Sequence, residues 1–193
     1  MVDLLKDDLA LQLFAFRLGL IQDVDRKPIS ELAACLEYPL EWSRESDLPT
    51  QAGELLDRYS LRATQFVLEK VWEFARQNDK QLLVVLFDPY RAMAEMRQSG
   101  KRFDRPVVEH LIREKFLYFD MNEVQLRDFE KSKLPYQDYL KQYFIGHYNP
   151  RGNHFFAYAI KDDMVRWLDP KPITYQKLDP ASVDFKGYLP DAR

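Results

Sequence analysis

The sequence has few of the residues that define several protein classes, with one cysteine, six glycines and three histidines among 193 residues. The single cysteine, Cys35, excludes an internal disulfide, and its apolar neighbours predict a small core residue rather than a reactive thiol. The three histidines, His110, His147 and His154, show no ligand spacing with cysteine or carboxylate. The sequence therefore predicts no metal site and no cofactor.

Long hydrophobic runs and a strong excess of one charge are also missing. The apolar stretch 9–21 is interrupted by Gln12 and Arg17 and is too short to span a bilayer. Acidic residues stand near the amino terminus, where a secretory signal carries positive charge. The net charge of −3 predicts no nucleic-acid partner. We expect no transmembrane span and, by default, a cytoplasmic location.

Length and composition predict one domain over residues 1–193. Hydrophobic residues make up 46% and charged residues 31%, which is typical of a globular chain. Within it we expect a helical amino-terminal extension over 1–50, an α/β part over 59–170 and a surface tail over 171–193.

Two continuous apolar runs, 81–87 and 116–119, predict buried strands that end at Asp88 and Asp120. A helix over 3–22 is apolar on nearly all sides and needs cover on more than one face. Further helices are predicted over 28–37, 59–77, 91–98, 106–115, 122–131, 136–143 and 150–167. This alternation predicts a right-handed βαβ crossover in a parallel sheet.

The most distinctive segment chemically is Gly146–Ala157, with the sequence GHYNPRGNHFFA. Asn149 is a preferred N-cap and Pro150 suits the first helical position, so a helix begins there and leaves His147 just outside it. A histidine at such an edge can transfer protons, although the simpler interpretation is a polar turn residue. His154 lies in the first helical turn, where we expect a structural or solvent-facing role.

The pattern His147-x-Asn149-x-x-Gly152, followed by an apolar helix, resembles the last sequence block of the SGNH (GDSL-type) hydrolases. These are serine esterases and acyl hydrolases on a flavodoxin-like α/β sheet. The resemblance runs from about residue 59 to 170 and implies an SGNH-like parallel sheet layer, helix-rich and incomplete in this chain. It gives His147 the role of general base and implies a small ester or an acylated carbohydrate as substrate.

Two departures from the family pattern accompany this resemblance. Phe144 stands where the family has the aspartate that orients the histidine. The chain also has no Gly-Asp-Ser nucleophile block and no oxyanion-hole blocks. We therefore expect a carboxy-terminal portion of such a hydrolase, with no identified serine nucleophile. The alternatives are a non-catalytic SGNH-related binding or assembly domain and an unrelated α/β binding domain.

Asp88 and Asp120 are supporting candidates, together with Asn149. Ligands of an open parallel sheet bind beyond the carboxyl ends of its strands, where both aspartates fall. Asp88 also reads as a turn former beside Pro89, and Asp120 as a capping residue. A sheet of only two strands exposes an edge. The predicted helix over 3–22, a second copy of the chain or a missing amino-terminal half are the candidates to cover it.

Overall fold

The computed structural model describes residues 8–168, which divide into two compact units, one up to Leu140 and one from Lys141 onward. The elements are α1 (Leu9–Arg17), α2 (Arg26–Cys35), a 3-10 turn (Glu45–Asp47), α3 (Leu48–Gln77), β1 (Leu83–Leu86), α4 (Ala92–Ser99), α5 (Arg105–Arg113), β2 (Leu117–Asp120), α6 (Met121–Lys131), α7 (Tyr136–Tyr143) and α8 (Pro150–Leu168). The predicted tail over 171–193 lies outside the described residues.

The general α/β prediction is confirmed by a helix-rich chain with a small parallel sheet. β1 and β2 pair in parallel, from Leu83 opposite Leu117 to Leu86 opposite Asp120. The crossover between them contains α4 and α5. Gly100 ends α4 in the left-handed region, with φ of 68°. A residue without a Cβ adopts that conformation at no steric cost. The glycine therefore predicted the end of this helix to within one residue.

The amino-terminal helix differs from its prediction in length and in packing. Within the described residues α1 ends at Arg17 rather than at residue 22. Leu13 and Ala15 are buried, but Leu11 and Phe14 are nearly half exposed, so the described residues cover only one face of this helix. α1 packs on α3, and the core cluster around Leu13 contains no strand residue. No residue of the described part of this helix joins the core cluster at the sheet, so that part does not cover it.

The long helix α3 begins eleven residues before the predicted start at Tyr59. It starts at Leu48, and Pro49 occupies its first turn, where a missing N–H breaks no helical hydrogen bond. Ala52 and Leu55, near its amino end, are buried against α1 and α2. The sequence prediction failed because a proline among charged residues resembles a loop.

The carboxyl half of α3 packs against one face of the sheet. Its residues Leu68 and Trp72, with Leu61 near the middle of the helix, join a second core cluster that contains β1, β2 and α5 residues. Buried His110 of α5 lies in the same layer, and its Nδ1 accepts a hydrogen bond from the Arg113 guanidinium at 2.9 Å. A guanidinium can only donate, so the His110 hydrogen is on Nε2, which lies 3.7 Å from a Glu69 carboxylate oxygen.

One flank of α3 and one edge of the sheet remain exposed. Among the described residues β1 pairs with β2 alone, which leaves its other edge open. On α3, Phe66, Val67 and Phe74 are 55–59% exposed, and Val71 is 41% exposed. The first unit thus presents an apolar stripe on its longest helix and an unpaired strand edge.

Cys35 is exposed rather than part of the core, contrary to its prediction. The buried residues of α2 are Ile29 and Ala33, which lie four positions apart on one face. A residue two positions beyond Ala33 points to the other side of a helix with 3.6 residues per turn. The apolar neighbours of Cys35 in sequence therefore do not share its surroundings.

Arg102 holds together the segment between α4 and α5 and the end of β2. Its guanidinium donates to the carboxylates of Asp104 and Asp120, and all three side chains are at most 13% exposed. Desolvation lowers the pKa of Arg102, but the hydrogen bonds and charges of the two carboxylates outweigh it, so the pKa is raised. The charge of the arginine is therefore fixed at any physiological pH.

Replacement of Arg102 by methionine should destabilise the protein by about 3 kcal/mol, because two largely buried carboxylates lose their counter-ion. The free energy of unfolding is measured by urea denaturation followed by circular dichroism. The matched control is Arg105→Met, because the Arg105–Glu109 pair is exposed, and its loss should cost less than about 1 kcal/mol. Equal losses for the two variants would contradict the structural role of Arg102.

Candidate active site

The segment that carries His147 is a tight loop between α7 and α8. Phe144 and Tyr148 form an isolated antiparallel bridge, and the Ile145 N–H donates to the His147 carbonyl oxygen at 2.8 Å. Gly146 lies between them with a φ of 92°, a conformation that side-chain-bearing residues rarely adopt. The glycine therefore allows the chain to reverse direction immediately before the histidine.

Asn149 fixes this loop to both helices. Its side-chain oxygen accepts from the Gly152 N–H at 2.9 Å, which caps the first turn of α8. Its side-chain amide donates to the Gln142 carbonyl at 2.9 Å, and its backbone N–H donates to the Tyr143 carbonyl at 2.8 Å. The predicted helix start at Asn149 and Pro150 is confirmed, because the N-cap bond is present and α8 begins at Pro150.

Gly152 is required by close packing between the loop and α8. A Cβ built on this residue would lie 2.3 Å from Tyr148 Cδ1 and 2.4 Å from the Tyr143 carbonyl oxygen. The second contact is with backbone, which cannot move aside as a flexible side chain can. Only glycine fits without displacing the end of α7 or the Tyr148 ring.

His147 is exposed, and the orientation of its ring is set by one hydrogen bond. Its Nδ1 lies 2.8 Å from the Tyr148 carbonyl oxygen. A carbonyl oxygen can only accept, so the hydrogen is on Nδ1. In the neutral ring Nε2 then carries a lone pair and is free to accept a proton. This is the protonation pattern that a general base requires.

Phe144, at the position of the family aspartate, is an apolar part of the loop. It is buried at 6% exposure, and its ring stacks on Tyr148 with centroids 4.7 Å apart. Burial raises the pKa of the Tyr148 phenol, which keeps it neutral. The orienting acceptor for the histidine is consequently a backbone carbonyl in this loop, in place of a carboxylate.

Asp88 and Asp120 belong to the first unit, where the structure places them at the carboxyl ends of β1 and β2. One oxygen of Asp88 accepts from the N–H groups of Tyr90 and Arg91, as expected of a turn former. Asp120 accepts from the Asn122 N–H and from Arg102. Their structural roles as turn former and helix cap are thus observed.

Asn122 connects these two aspartates and was missed by sequence reasoning. Its side-chain oxygen accepts from the Asp88 N–H at 2.7 Å, while its own N–H is capped by Asp120. The side chain is fully buried. Its position two residues after Asp120, which ends a strand, could have predicted that Asn122 lies at this edge of the sheet. Arg102, the other residue at this edge, had no signal in the sequence because its partner Asp120 is eighteen positions away.

Three serine hydroxyls donate hydrogen bonds to backbone carbonyls of their own helices. Those of Ser30, Ser60 and Ser99 each donate to the carbonyl four residues earlier. Such a bond occupies the hydroxyl hydrogen that a catalytic base would have to remove. None of these three serines is therefore arranged as a nucleophile.

Across residues 8–168, no group of three or more histidine, cysteine or acidic side chains could hold a metal ion. In the same range, no helix combines the length and the apolar character needed to cross a bilayer.

No protein-family model, curated protein or solved structure matches the chain.

Gly152→Ala should destabilise the loop and the start of α8, because the new methyl group overlaps backbone as well as the Tyr148 ring. We expect a loss of about 2 kcal/mol in the free energy of unfolding, measured by urea denaturation. Gly53→Ala is the matched control. Its Cβ would meet only the flexible Arg17 side chain at 3.2 Å, in the interior of a helix that favours alanine. An unchanged stability of Gly152→Ala would contradict the packing described for this loop.

Proposed function

We propose that this chain is the carboxy-terminal, base-bearing portion of an SGNH-like hydrolase that cleaves esters or acyl groups, with His147 as the general base. The supporting observation is the His147 ring itself, exposed, with Nδ1 bonded to the Tyr148 carbonyl and Nε2 left as an acceptor. Gly146, Asn149 and Gly152 all have structural tasks in the loop. His147 is the residue of this block without such a structural role, which supports a catalytic role for it.

In this proposal Nε2 of His147 removes the proton from an attacking hydroxyl group, which belongs to a serine or to water. The same nitrogen then returns the proton to the departing alkoxide. The Tyr148 carbonyl stabilises the transient imidazolium through the Nδ1 hydrogen. A neutral carbonyl does this less strongly than a carboxylate, so the base is weaker than one in a complete triad.

Asn149 acts in this proposal as a positioning residue, since it anchors the loop that presents His147. Asp88 and Asp120 are the candidates for an acid, but both carboxylates already accept hydrogen bonds within the first unit. The proposed substrate is a small ester or an acylated carbohydrate.

The proposed base has a defined tautomer, which is testable by long-range ¹H–¹⁵N NMR on the protein at neutral pH. We expect His147 to carry its hydrogen on Nδ1. His110 is an internal control with the opposite prediction, a hydrogen on Nε2, because Arg113 donates to its Nδ1. A hydrogen on Nε2 of neutral His147 would remove the lone pair on which the proposal depends.

The activity is tested with a short-chain chromogenic ester, comparing the wild type with His147→Ala. We expect the rate to fall by about 100-fold in the variant, the usual contribution of a general base. The control is Arg166→Ala, which removes an exposed cation from the far end of α8 and should leave the rate unchanged. Equal rates for the wild type and His147→Ala would exclude His147 from any mechanism.

A second candidate function is a non-catalytic binding or assembly domain. The observation that favours it is the apolar stripe on α3, formed by Phe66, Val67, Val71 and Phe74, on a unit that also has an unpaired strand edge. Four large exposed apolar side chains on one helix face are uncommon on a monomer, and Lys70 lies among them with its ammonium over the Phe66 ring. α5 packs on the other flank of α3, through Gln65 and the Pro106 carbonyl, so the stripe is not covered by it.

In this candidate the stripe packs against a second copy of the chain. Antiparallel packing of two α3 helices centred near residue 68 places Phe74 of one copy against Ala63 of the other, a large side chain against a small one. It also places Phe66 against Val71. With about half of each side chain exposed, these residues of the two copies bury about 700 Å², and neighbouring side chains must supply the rest of the ~1,000 Å² of a specific interface.

Self-association is measured by sedimentation velocity across a range of protein concentrations. The assembly candidate predicts a species with the mass of two chains for the wild type and one chain for Val67→Lys, because in this register the new charge would face Lys70 of the other copy. Ile112→Lys, at an exposed position of α5, which packs on the other flank of α3, should leave the dimer intact. A wild type with the mass of a single chain at every concentration would overturn this candidate.

A further inference from the structure

A shallow groove in the second unit lies beside the first turns of α8. It has a volume of about 280 Å³, and its lining residues are Tyr143, Arg151, His154, Phe155 and Tyr158. Three of these five side chains are aromatic. The groove begins only four residues after His147, on the helix that the histidine loop leads into.

Tyr143 is buried at 7% exposure and supports the Phe155 ring from below the surface, while Tyr158 offers an open aromatic face. The Tyr143 and Phe155 rings have centroids 5.0 Å apart and an angle of 33° between their planes. Tyr158, one helical turn beyond His154, is 66% exposed and presents most of its ring to the groove and to solvent. Aromatic faces bind the rings of sugars and of aryl groups by contact with a large, rigid apolar surface.

A cation is held over one of these aromatic rings. The Arg151 guanidinium carbon lies 5.4 Å from the centre of the Tyr143 ring. Within the described residues Arg151 makes no ion pair and no side-chain hydrogen bond, whereas Arg166 of the same helix is paired with Asp163. All five donor N–H groups of Arg151 are therefore available to a ligand, with the guanidinium already positioned by the ring.

The surroundings of the groove favour a negative ligand. Residues 150–160 contain no acidic side chain, and His154 adds a second nitrogen donor to the lining. The nearest acids along α8, Asp162 and Asp163, are engaged by Lys161 and Arg166. The amino-terminal end of a helix also carries a partial positive charge, which adds to that of Arg151.

We propose that this groove binds a six-membered ring that carries a carboxylate, with the ring against Phe155 and Tyr158 and the carboxylate on Arg151. Two sources share this chemistry, a uronic acid sugar and an aryl carboxylate. The carboxylate accepts two parallel hydrogen bonds from the guanidinium, a geometry that lysine or a neutral donor cannot provide. The assignment of this ring as part of the substrate rests on the proposed function. The assignment of the groove as a binding site does not.

The test is titration of the ¹⁵N-labelled full chain, followed by two-dimensional NMR. Four probes are used: glucuronate and its neutral counterpart glucose, and benzoate and its neutral counterpart benzyl alcohol. We expect at least one carboxylate to shift the amide signals of Arg151, His154 and Tyr158, with at least tenfold weaker binding of its neutral counterpart. Glucuronate alone identifies a sugar site, and benzoate alone an aryl site. Failure of both carboxylates, or equal binding of the neutral rings, overturns the proposal.

Two variants of α8 test the role of the cation. Arg151→Gln should weaken carboxylate binding at least tenfold, while Arg166→Gln, at the far end of the same helix, should leave it unchanged. Equal affinities for the two variants would overturn the assignment of Arg151.

His147→Ala separates this proposal from the hydrolase proposal. The variant should bind the carboxylate with unchanged affinity while ester hydrolysis falls. Binding without any histidine-dependent hydrolysis would leave the groove intact and remove the hydrolase function. Histidine-dependent hydrolysis without carboxylate binding would support the hydrolase function and overturn the groove proposal.

Discussion

Burial of one continuous apolar face along α3 organises the first unit. This helix of 30 residues supplies Ala52 and Leu55 to the amino-terminal core and Leu68 and Trp72 to the core above the sheet. α1 and α2 pack on its first half, and α5 and the two strands on its second half. A helix of this length spans about 45 Å, so it fixes the distance between the two cores. Neither core is complete without it.

The sequence predicted the elements with strong local signals and failed where tertiary contacts decided. Gly100, Asn149 and Pro150 mark helix ends through their own backbone preferences, and each lies where the pattern indicated. The early start of α3 and the exposure of Cys35 depend on which face packs against which neighbour. Hydrophobic spacing around Pro49 contains no information about α1 and α2, whose contacts stabilise the extra turns.

In the candidate site, too, the locally determined features were predicted and those that depend on tertiary contacts were not. The helix cap and the exposed histidine follow from local sequence, and both were predicted. The bond from His147 Nδ1 to the Tyr148 carbonyl was not, because it depends on the reversal of the chain at Gly146. The link from Asp88 through Asn122 to Asp120 joins residues more than thirty positions apart, and only the parallel pairing of β1 with β2 brings them together.

Gly152 leaves no room for a side chain, and Asn149 makes three hydrogen bonds that bind the loop to its helices. Both requirements come from folding and are the same whether or not the protein turns over a substrate. A relative that lost all activity would be under pressure to keep both residues, whereas nothing in the packing would oppose a change at position 147. If the proposed hydrolase function holds, the identity of residue 147 alone would therefore separate related chains that retain it from chains that retain only the loop.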